Sequence, residues 1–230
     1  MRKWVLGLVL GILFTSVGAL ADTVTLTFDN TGGINDGSVY VYPYNMTVGN
    51  GSSTVAMTCD TYTNEIHNGE SWTATVSSVY NVSGTMFASL PNAGTLYQEA
   101  AWLFLQLGNL NLTTTAGQNA AIGINYAIWG LFSSSAASNA SSTTYGSAGY
   151  VTEANQAVCG TGTTCNLETL PAGYFNGIAI YTPLTWTGQT PGSNANEPQE
   201  FIGPVPEPGT LALLGTGLVS LAGIIRKRFS

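Results

Sequence analysis

Three cysteines are the residues of this chain with the clearest potential for covalent chemistry. Cys159 and Cys165 bracket a short segment rich in Gly and Thr, whose glycines allow a small closed ring. Their spacing therefore predicts a disulfide. Cys59 then has no cysteine partner, and an odd cysteine in an oxidising compartment requires an explanation. The sequence thus singles out Cys59 as the candidate reactive residue.

Other catalytic arrangements are weaker in this sequence. The single histidine, His67, lies in a polar turn, which is typical of a solvated loop residue. No His and Cys residues have the spacing of a zinc site, and no Gly-x-Ser-x-Gly motif marks a nucleophilic serine. We therefore expect no metal, no cofactor and no catalytic residue. A carbohydrate-active enzyme is an alternative, but no spacing selects one pair among its candidate carboxylates: Asp60, Glu65, Glu70, Glu99 and Glu153.

Hydrophobic periodicity predicts the elements that position Cys59. Apolar and polar residues alternate at 24–28, which predicts a half-buried strand. Similar patterns predict strands at 39–44, 54–58, 72–80 and 174–181. Helical periodicity predicts helices at 96–107, 118–132 and 151–158. The Ser-rich segment 133–147 predicts a loop. The expected fold is mainly β with an inserted helical pair, an α+β class in which Cys59 ends a strand.

The segments around Cys59 and Asn125 resemble a known domain family. Met57-Thr58-Cys59 ends a predicted strand, and Asn125-Tyr126-Ala127-Ile128-Trp129 lies on the second helix. Together they resemble the thioester domains of bacterial surface adhesins, in which a cysteine sulfur is joined to a glutamine side-chain carbonyl and captures amines. Asn125 stands where that family has glutamine, one methylene shorter, and Gln98 has similar local spacing. The resemblance implies a covalent adhesin; alternatively, Cys59 packs as a small hydrophobic side chain.

The first 21 residues have the organisation of a secretory signal. Arg2 and Lys3 precede an apolar run at 4–14, and Ala19-Leu20-Ala21 supplies the small-x-small pattern of a cleavage site. We expect signal peptidase to cut after Ala21, so that the mature protein begins at Asp22. The alternative is an uncleaved membrane anchor.

Residues 205–230 form a three-part tail. Pro206-Glu207-Pro208 precedes an apolar run at 211–225, and Arg226-Lys227-Arg228 follows it. The basic cluster predicts a stop to translocation behind a transmembrane helix. The order of these parts closely resembles the PEP-CTERM sorting signal of Gram-negative bacteria. The resemblance implies recognition of Pro206, Glu207 and Pro208 by an exosortase; the alternative is an ordinary tail anchor after a Pro-rich linker.

The charge distribution of the chain excludes nucleic acid as a partner. Every Lys and Arg lies in the first three or last five residues, and all twelve Asp and Glu lie between them. A body without cations cannot neutralise phosphates, so nucleic-acid binding is excluded. Its abundant Ser, Thr, Asn and Gly are typical of an extracellular surface.

The chain divides into four predicted parts: a signal peptide at 1–21, an exported globular domain at 22–186, a flexible linker at 187–204 and a sorting signal with a transmembrane helix at 205–230. The PEP-CTERM resemblance implies export through the inner membrane to the outer envelope, cell surface or extracellular matrix. It also implies a species that makes exopolysaccharide. We expect a non-enzymatic structural or adhesive protein linked to that polymer. Before processing, its partners would be signal peptidase, exosortase and, through the C-terminal helix, the membrane.

Overall fold

The computed structural model describes residues 23–49, 51, 54–161, 165, 169–184 and 198–205. They belong to one compact unit, Thr23–Val205. The predicted signal peptide, the Pro-Glu-Pro motif and the apolar C-terminal run lie outside the described residues. Within the described ranges, no helix has the length and apolar character needed to cross a membrane.

Among the described residues, six antiparallel strands close into a barrel. The order around the barrel is β1-β2-β3-β6-β5-β4, and β4 pairs with β1 to complete the circle. Closure pairs both edges of each of these strands, so the barrel offers none of them as a template for further pairing. Their bounds are β1 (Thr23–Thr31), β2 (Tyr44–Val48), β3 (Thr54–Cys59), β4 (Ser71–Ser78), β5 (Ile178–Pro183) and β6 (Phe201–Pro204).

Large side chains fill the barrel because alternate residues of each strand face inward. Cys59 lies opposite Phe201 in the ladder between β3 and β6. The Phe201 ring also packs against Tyr44 and Trp72, with ring centroids 5.6 and 6.0 Å away. Neither β2 nor β4, which carry these two residues, neighbours β6. These contacts therefore cross the interior, next to the buried side chain of Cys59.

Between β4 and β5, the described part of the chain forms five helices: α1 (Ala93–Leu107), α2 (Thr115–Phe132), α3 (Ser134–Ala137), α4 (Ala140–Thr144) and α5 (Ser147–Cys159). Helix α2 begins where the Thr114 side chain accepts a hydrogen bond from the Gly117 N–H over 3.1 Å, an N-cap. Helices α1, α2 and α5 pack against one another. The insertion therefore has a packed centre of its own.

Helix α2 has one face that requires a glycine. An added Cβ at Gly123 would lie 2.3 Å from the backbone oxygen of Tyr145, which follows α4. Gly123 weakens helix propensity but permits this close approach. Another part of the same helix carries Asn125 and Trp129 to the end of β3.

The expected mainly β fold with inserted helices is confirmed. The predicted helical pair corresponds to α1 and α2, and the described insertion also holds α3, α4 and α5. The strand predicted at 39–44 is wrong, because β2 begins only at Tyr44. Pro43 precedes it and has no N–H for a ladder. The loop predicted at 133–147 is also wrong, since the side chains of Ser133 and Asn139 cap α3 and α4.

The linker predicted at 187–204 is wrong in its last residues. Phe201–Pro204 form β6, which pairs with both β3 and β5. Glu200, just before it, is fully buried. The residues at 187–197 lie outside the described part of the chain. The folded barrel therefore extends to the start of the tail.

Candidate functional site

Cys59 is buried where α2 meets the end of β3. Its sulfur accepts a hydrogen bond from the Trp129 indole Nε1 over 3.3 Å. Trp129 in turn packs on the rings of Tyr62 and Tyr126. Burial raises the pKa of the Cys59 thiol to about 12, although hydrogen bonds with Tyr44 and Trp129 oppose the shift. The thiol is therefore neutral at physiological pH and does not act as a thiolate nucleophile in this state.

Asn125 lies one helical turn before Trp129 and is also buried. Its Oδ1 accepts hydrogen bonds from the Tyr42 backbone N–H over 2.9 Å and from the Thr58 hydroxyl over 3.0 Å. Its Nδ2 has no hydrogen-bond partner among the described residues. The two donors hold the carboxamide against the strand residue that precedes Cys59.

The two residues of the predicted thioester therefore both lie where α2 contacts Thr58 and Cys59 of β3, here called the Cys59 junction. They make different contacts there. Thr58 and Cys59 are consecutive in β3, so their side chains point to opposite faces of the strand. Asn125 contacts Thr58, whereas the Cys59 sulfur contacts Trp129. Within the described ranges, no hydrogen bond joins Cys59 to Asn125 or to Gln98, which lies on α1.

A pair of carboxyl groups lies directly after Cys59, and no sequence pattern predicts it. Asp60 and Glu200 are both fully buried, and the Asp60 backbone N–H donates to the Glu200 backbone oxygen over 3.2 Å. Glu200 Oε2 accepts a hydrogen bond from the Met86 backbone N–H over 2.8 Å. The hydroxyls of Tyr97 and Thr182 donate to the same carboxylate. The polar groups of four separate segments thus converge on Glu200.

Both carboxyls of this pair bind a proton more tightly than usual. Burial, followed by the charge of Glu200, raises the pKa of Asp60 well above its ordinary value. Burial also raises the pKa of Glu200, although its hydrogen bonds oppose the shift. The body has no Lys or Arg to compensate two buried charges. Both shifts favour a protonated carboxyl in this pair. Because the pair is buried, it cannot contact a polymer in this state.

The other carboxylates considered for glycoside cleavage do not pair with each other. Glu70 accepts a hydrogen bond from the His67 backbone N–H over 2.9 Å, and Glu99 accepts one from the Asn155 side chain over 2.7 Å. Glu153 is exposed on α5. Among the residues that the structure describes, no group of three or more His, Cys, Asp or Glu could hold a metal ion.

Cys159 and Cys165 form a disulfide with an S–S distance of 2.00 Å. It lies at the C-terminal end of α5, where the Thr169 hydroxyl donates to the carbonyls of Ala157 and Val158 over 2.8 and 2.7 Å. The disulfide and these hydrogen bonds fix the chain as it leaves the helix. They take no part in the Cys59 junction.

A surface cleft of about 600 Å³ reaches the Cys59 junction. Trp129 and Tyr44 line it, and Glu65 and His67 are exposed beside it. Cys59 itself does not line the cleft. A ligand that enters would therefore meet the Trp129 indole and not the sulfur.

Among comparisons with known proteins, one family model matches, and it matches the C-terminal tail. Residues 204–228 match the family model of the PEP-CTERM protein-sorting motif. No curated protein and no solved structure matches the chain. The resemblance to thioester domains is not confirmed.

The matched residues begin where the barrel ends. Pro204 is the last residue of β6, and the Val205 N–H donates to the Gly177 carbonyl over 2.9 Å. Pro206-Glu207-Pro208 and Arg226-Lys227-Arg228 fall within the match and outside the described residues. Proteins with this motif are exported and associated with the envelope of Gram-negative bacteria. The chain therefore carries a PEP-CTERM sorting motif, which implies processing by an exosortase.

Proposed function

We propose that this protein is a non-enzymatic component of the cell surface or extracellular matrix that an exosortase processes and that associates with exopolysaccharide without a covalent bond. The observation that carries this proposal is the PEP-CTERM motif at residues 204–228. The position of the motif supports it, because the barrel is complete at Val205. Cleavage after that residue leaves all six described strands in place.

The chemistry of the body favours physical association over reaction. Its one free thiol within the described residues is buried and neutral, and the carboxyls of Asp60 and Glu200 are buried as well. A body without Lys or Arg offers no cations to an acidic polymer. Contact with a polysaccharide then depends on hydroxyl hydrogen bonds and aromatic surfaces, both of which the cleft offers.

Fractionation of the bacterium that makes the protein tests this proposal. In cells with exosortase, we expect the mature protein in the matrix fraction, where it sediments with exopolysaccharide. In cells without exosortase, we expect it to stay in the membrane fraction with Arg226-Lys227-Arg228 still attached. A Cys59→Ala variant that keeps its native circular dichroism spectrum should leave the sedimentation unchanged. Equal distribution in the two strains, or loss of sedimentation in the Cys59 variant, would contradict the proposal.

Covalent capture of amines is a second candidate function, favoured by the environment of Asn125. It requires the Cys59 sulfur to leave Trp129 and turn towards Asn125, which contacts the opposite face of β3. The Tyr42 N–H and the Thr58 hydroxyl would stabilise charge on its Oδ1 if the Cys59 sulfur attacked Cγ. The C–N bond would break, and the departing nitrogen would take the thiol proton and leave as ammonia. That nitrogen is the one without a partner among the described residues.

The mass of the intact protein distinguishes this second function. A thioester lowers the mass by one ammonia, and methylamine then adds covalently to the Asn125 side chain. Cys59→Ala and Asn125→Ala should each abolish both signals. A chain of full mass that takes up no methylamine excludes covalent capture and leaves the non-covalent function in place.

A further inference from the structure

The cleft beside the Cys59 junction has the lining of a binding site. Aromatic rings of Tyr44, Tyr62 and Trp129 form part of its wall. Tyr40 also lines it and is 52% exposed, the most exposed of the large hydrophobic side chains among the described residues. The volume of the cleft, about 600 Å³, lies in the range of small-ligand pockets.

Two buried amide side chains line this cleft, and each carries an unpaired oxygen. Asn64 and Gln199 line it and are only 2% and 6% exposed. Asn64 Nδ2 donates to the Pro198 backbone oxygen over 3.3 Å. Gln199 Nε2 donates to the backbone oxygens of Thr61, over 3.4 Å, and of Asn64. Backbone oxygens can only accept, so these contacts establish which atom of each amide is nitrogen.

The remaining amide oxygens therefore act as acceptors. Asn64 Oδ1 and Gln199 Oε1 have no donor in the described part of the chain. Buried acceptors are nearly always paired in folded proteins, because an unpaired one has lost its water without compensation. Both oxygens are shielded from solvent in this state, and the two side chains that carry them line one cleft. A ligand in the cleft supplies the missing donors once these side chains turn towards it.

The charges around the cleft restrict the chemistry of that ligand. Its lining includes the carboxylate of Glu65 and the imidazole of His67, and no Lys or Arg occurs in the body. A uronate or sulfate group would meet Glu65 with no cation of that kind to balance it. A sugar hydroxyl can donate to an amide oxygen without bringing charge. The exposed Tyr40 ring offers an apolar surface to the C–H face of a sugar.

We propose that the cleft binds a neutral, hydroxyl-rich glycan. Sugar hydroxyls donate to Asn64 Oδ1 and Gln199 Oε1, and one sugar ring stacks on Tyr40. Since this rests on the proposed association with exopolysaccharide, it identifies uncharged sugar units as the part of the polymer that the protein binds.

Calorimetric titration of the processed protein tests the proposal. The neutral probes are maltohexaose, cellohexaose, mannohexaose and the neutral fraction of the bacterium's exopolysaccharide; the acidic probe is polygalacturonate. We expect at least one neutral probe to bind with little dependence on salt, and polygalacturonate not to bind. Tyr40→Ala should weaken binding about tenfold, and Asn64→Ala about three- to tenfold. Tyr174→Ala is the matched control, because Tyr174 is 41% exposed and does not line the cleft.

Three outcomes overturn the proposal: no neutral probe binds, the acidic probe binds better, or Tyr40→Ala binds as well as the unchanged protein. Tyr40→Ala should leave the core packing intact, since about half of the Tyr40 side chain is exposed. If the neutral fraction fails to bind while whole exopolysaccharide still sediments with the protein, the cleft assignment is wrong and the proposed function stands. If neither binds, both are wrong.

Discussion

The indole N–H of Trp129 lies 3.3 Å from the sulfur of Cys59 and donates a hydrogen bond to it. One turn earlier on the same helix, Asn125 accepts a hydrogen bond from Thr58, the residue before Cys59. Hydrogen bonds therefore join helix α2 to two successive residues of strand β3, Thr58 and Cys59. These contacts join the helical insertion to the barrel and give Cys59 a structural role.

The first prediction concerns the reactivity of this thiol. Because Cys59 is fully buried and its pKa is raised to about 12, iodoacetamide at neutral pH should not alkylate it in the folded protein. In denaturant without a reducing agent, one thiol per chain should react, since Cys159 and Cys165 form a disulfide. Mass spectrometry counts the adducts. Alkylation of the native protein at the rate of a small-molecule thiol would contradict the buried environment.

The second prediction concerns the two hydrogen bonds that the Asn125 side chain accepts. Asn125→Ala leaves the Tyr42 N–H and the Thr58 hydroxyl without their acceptor, so we expect the free energy of unfolding to fall by about 2–4 kcal/mol. Asn119→Ala on the same helix is the control, because Asn119 is exposed. It should change stability by no more than about 0.5 kcal/mol. Urea denaturation measures the free energy of unfolding of both variants. Equal losses would mean that the hydrogen bonds of Asn125 contribute nothing to stability.

The third prediction is a loss of stability as pH rises, caused by Asp60 and Glu200. Both pKa values are raised by burial, so the folded protein keeps a proton that the unfolded chain releases above about pH 4. Stability from this pair is therefore complete below that pH and is lost as pH rises towards the folded-state pKa. The expected slope is about 1.4 kcal/mol per pH unit for one retained proton.

Asp60→Asn tests this slope because an amide imitates the protonated carboxyl. The variant should remove the contribution of a proton retained on Asp60 and so flatten the pH profile of unfolding. Burial also raises the pKa of Glu99. Glu99 is present in both proteins, so its contribution to the pH profile is the same in each. Glu153→Gln, at an exposed carboxyl on α5, should keep the original slope. An Asp60→Asn profile as steep as that of the unchanged protein would refute a proton retained on Asp60.

The fourth prediction concerns the end of the barrel. A chain that ends at Val205 keeps β6 and the Glu200 hydrogen bonds, so it should unfold cooperatively. A chain that ends at residue 197 lacks both, and β3 and β5 lose their common neighbour. We expect it to lose the fixed aromatic packing that near-ultraviolet circular dichroism reports. A native spectrum from the shorter chain would show that β6 is dispensable.

The sequence predicts the longer elements of this fold because each buries one face at a regular period. Strand β6 escapes that reasoning, since it has four residues and includes Gly203 and Pro204, both poor strand formers. In the sequence, Glu200 resembles a charged linker residue. In the fold, it lies beside Asp60 and accepts a hydrogen bond from Tyr97. Only tertiary structure supplies those contacts.

The candidate site is divided in the same way. Cys59 and Asn125 stand out by residue type and by their places at a strand end and on a helix, and the structure brings them to one junction. Asn64 and Gln199 have no such local pattern. They meet because the loop between β3 and β4 folds beside the residues before β6. A cleft built from separate segments cannot be predicted from periodicity.

The intact mass of the protein, purified from the envelope of the bacterium that makes it, tests the central claim most directly. The sorting motif predicts a chain that begins at Asp22, ends near Pro208 and lacks the apolar run with Arg226-Lys227-Arg228. The non-covalent function further predicts no loss of ammonia. A chain that keeps the three basic residues would contradict exosortase processing and indicate an ordinary membrane-anchored domain.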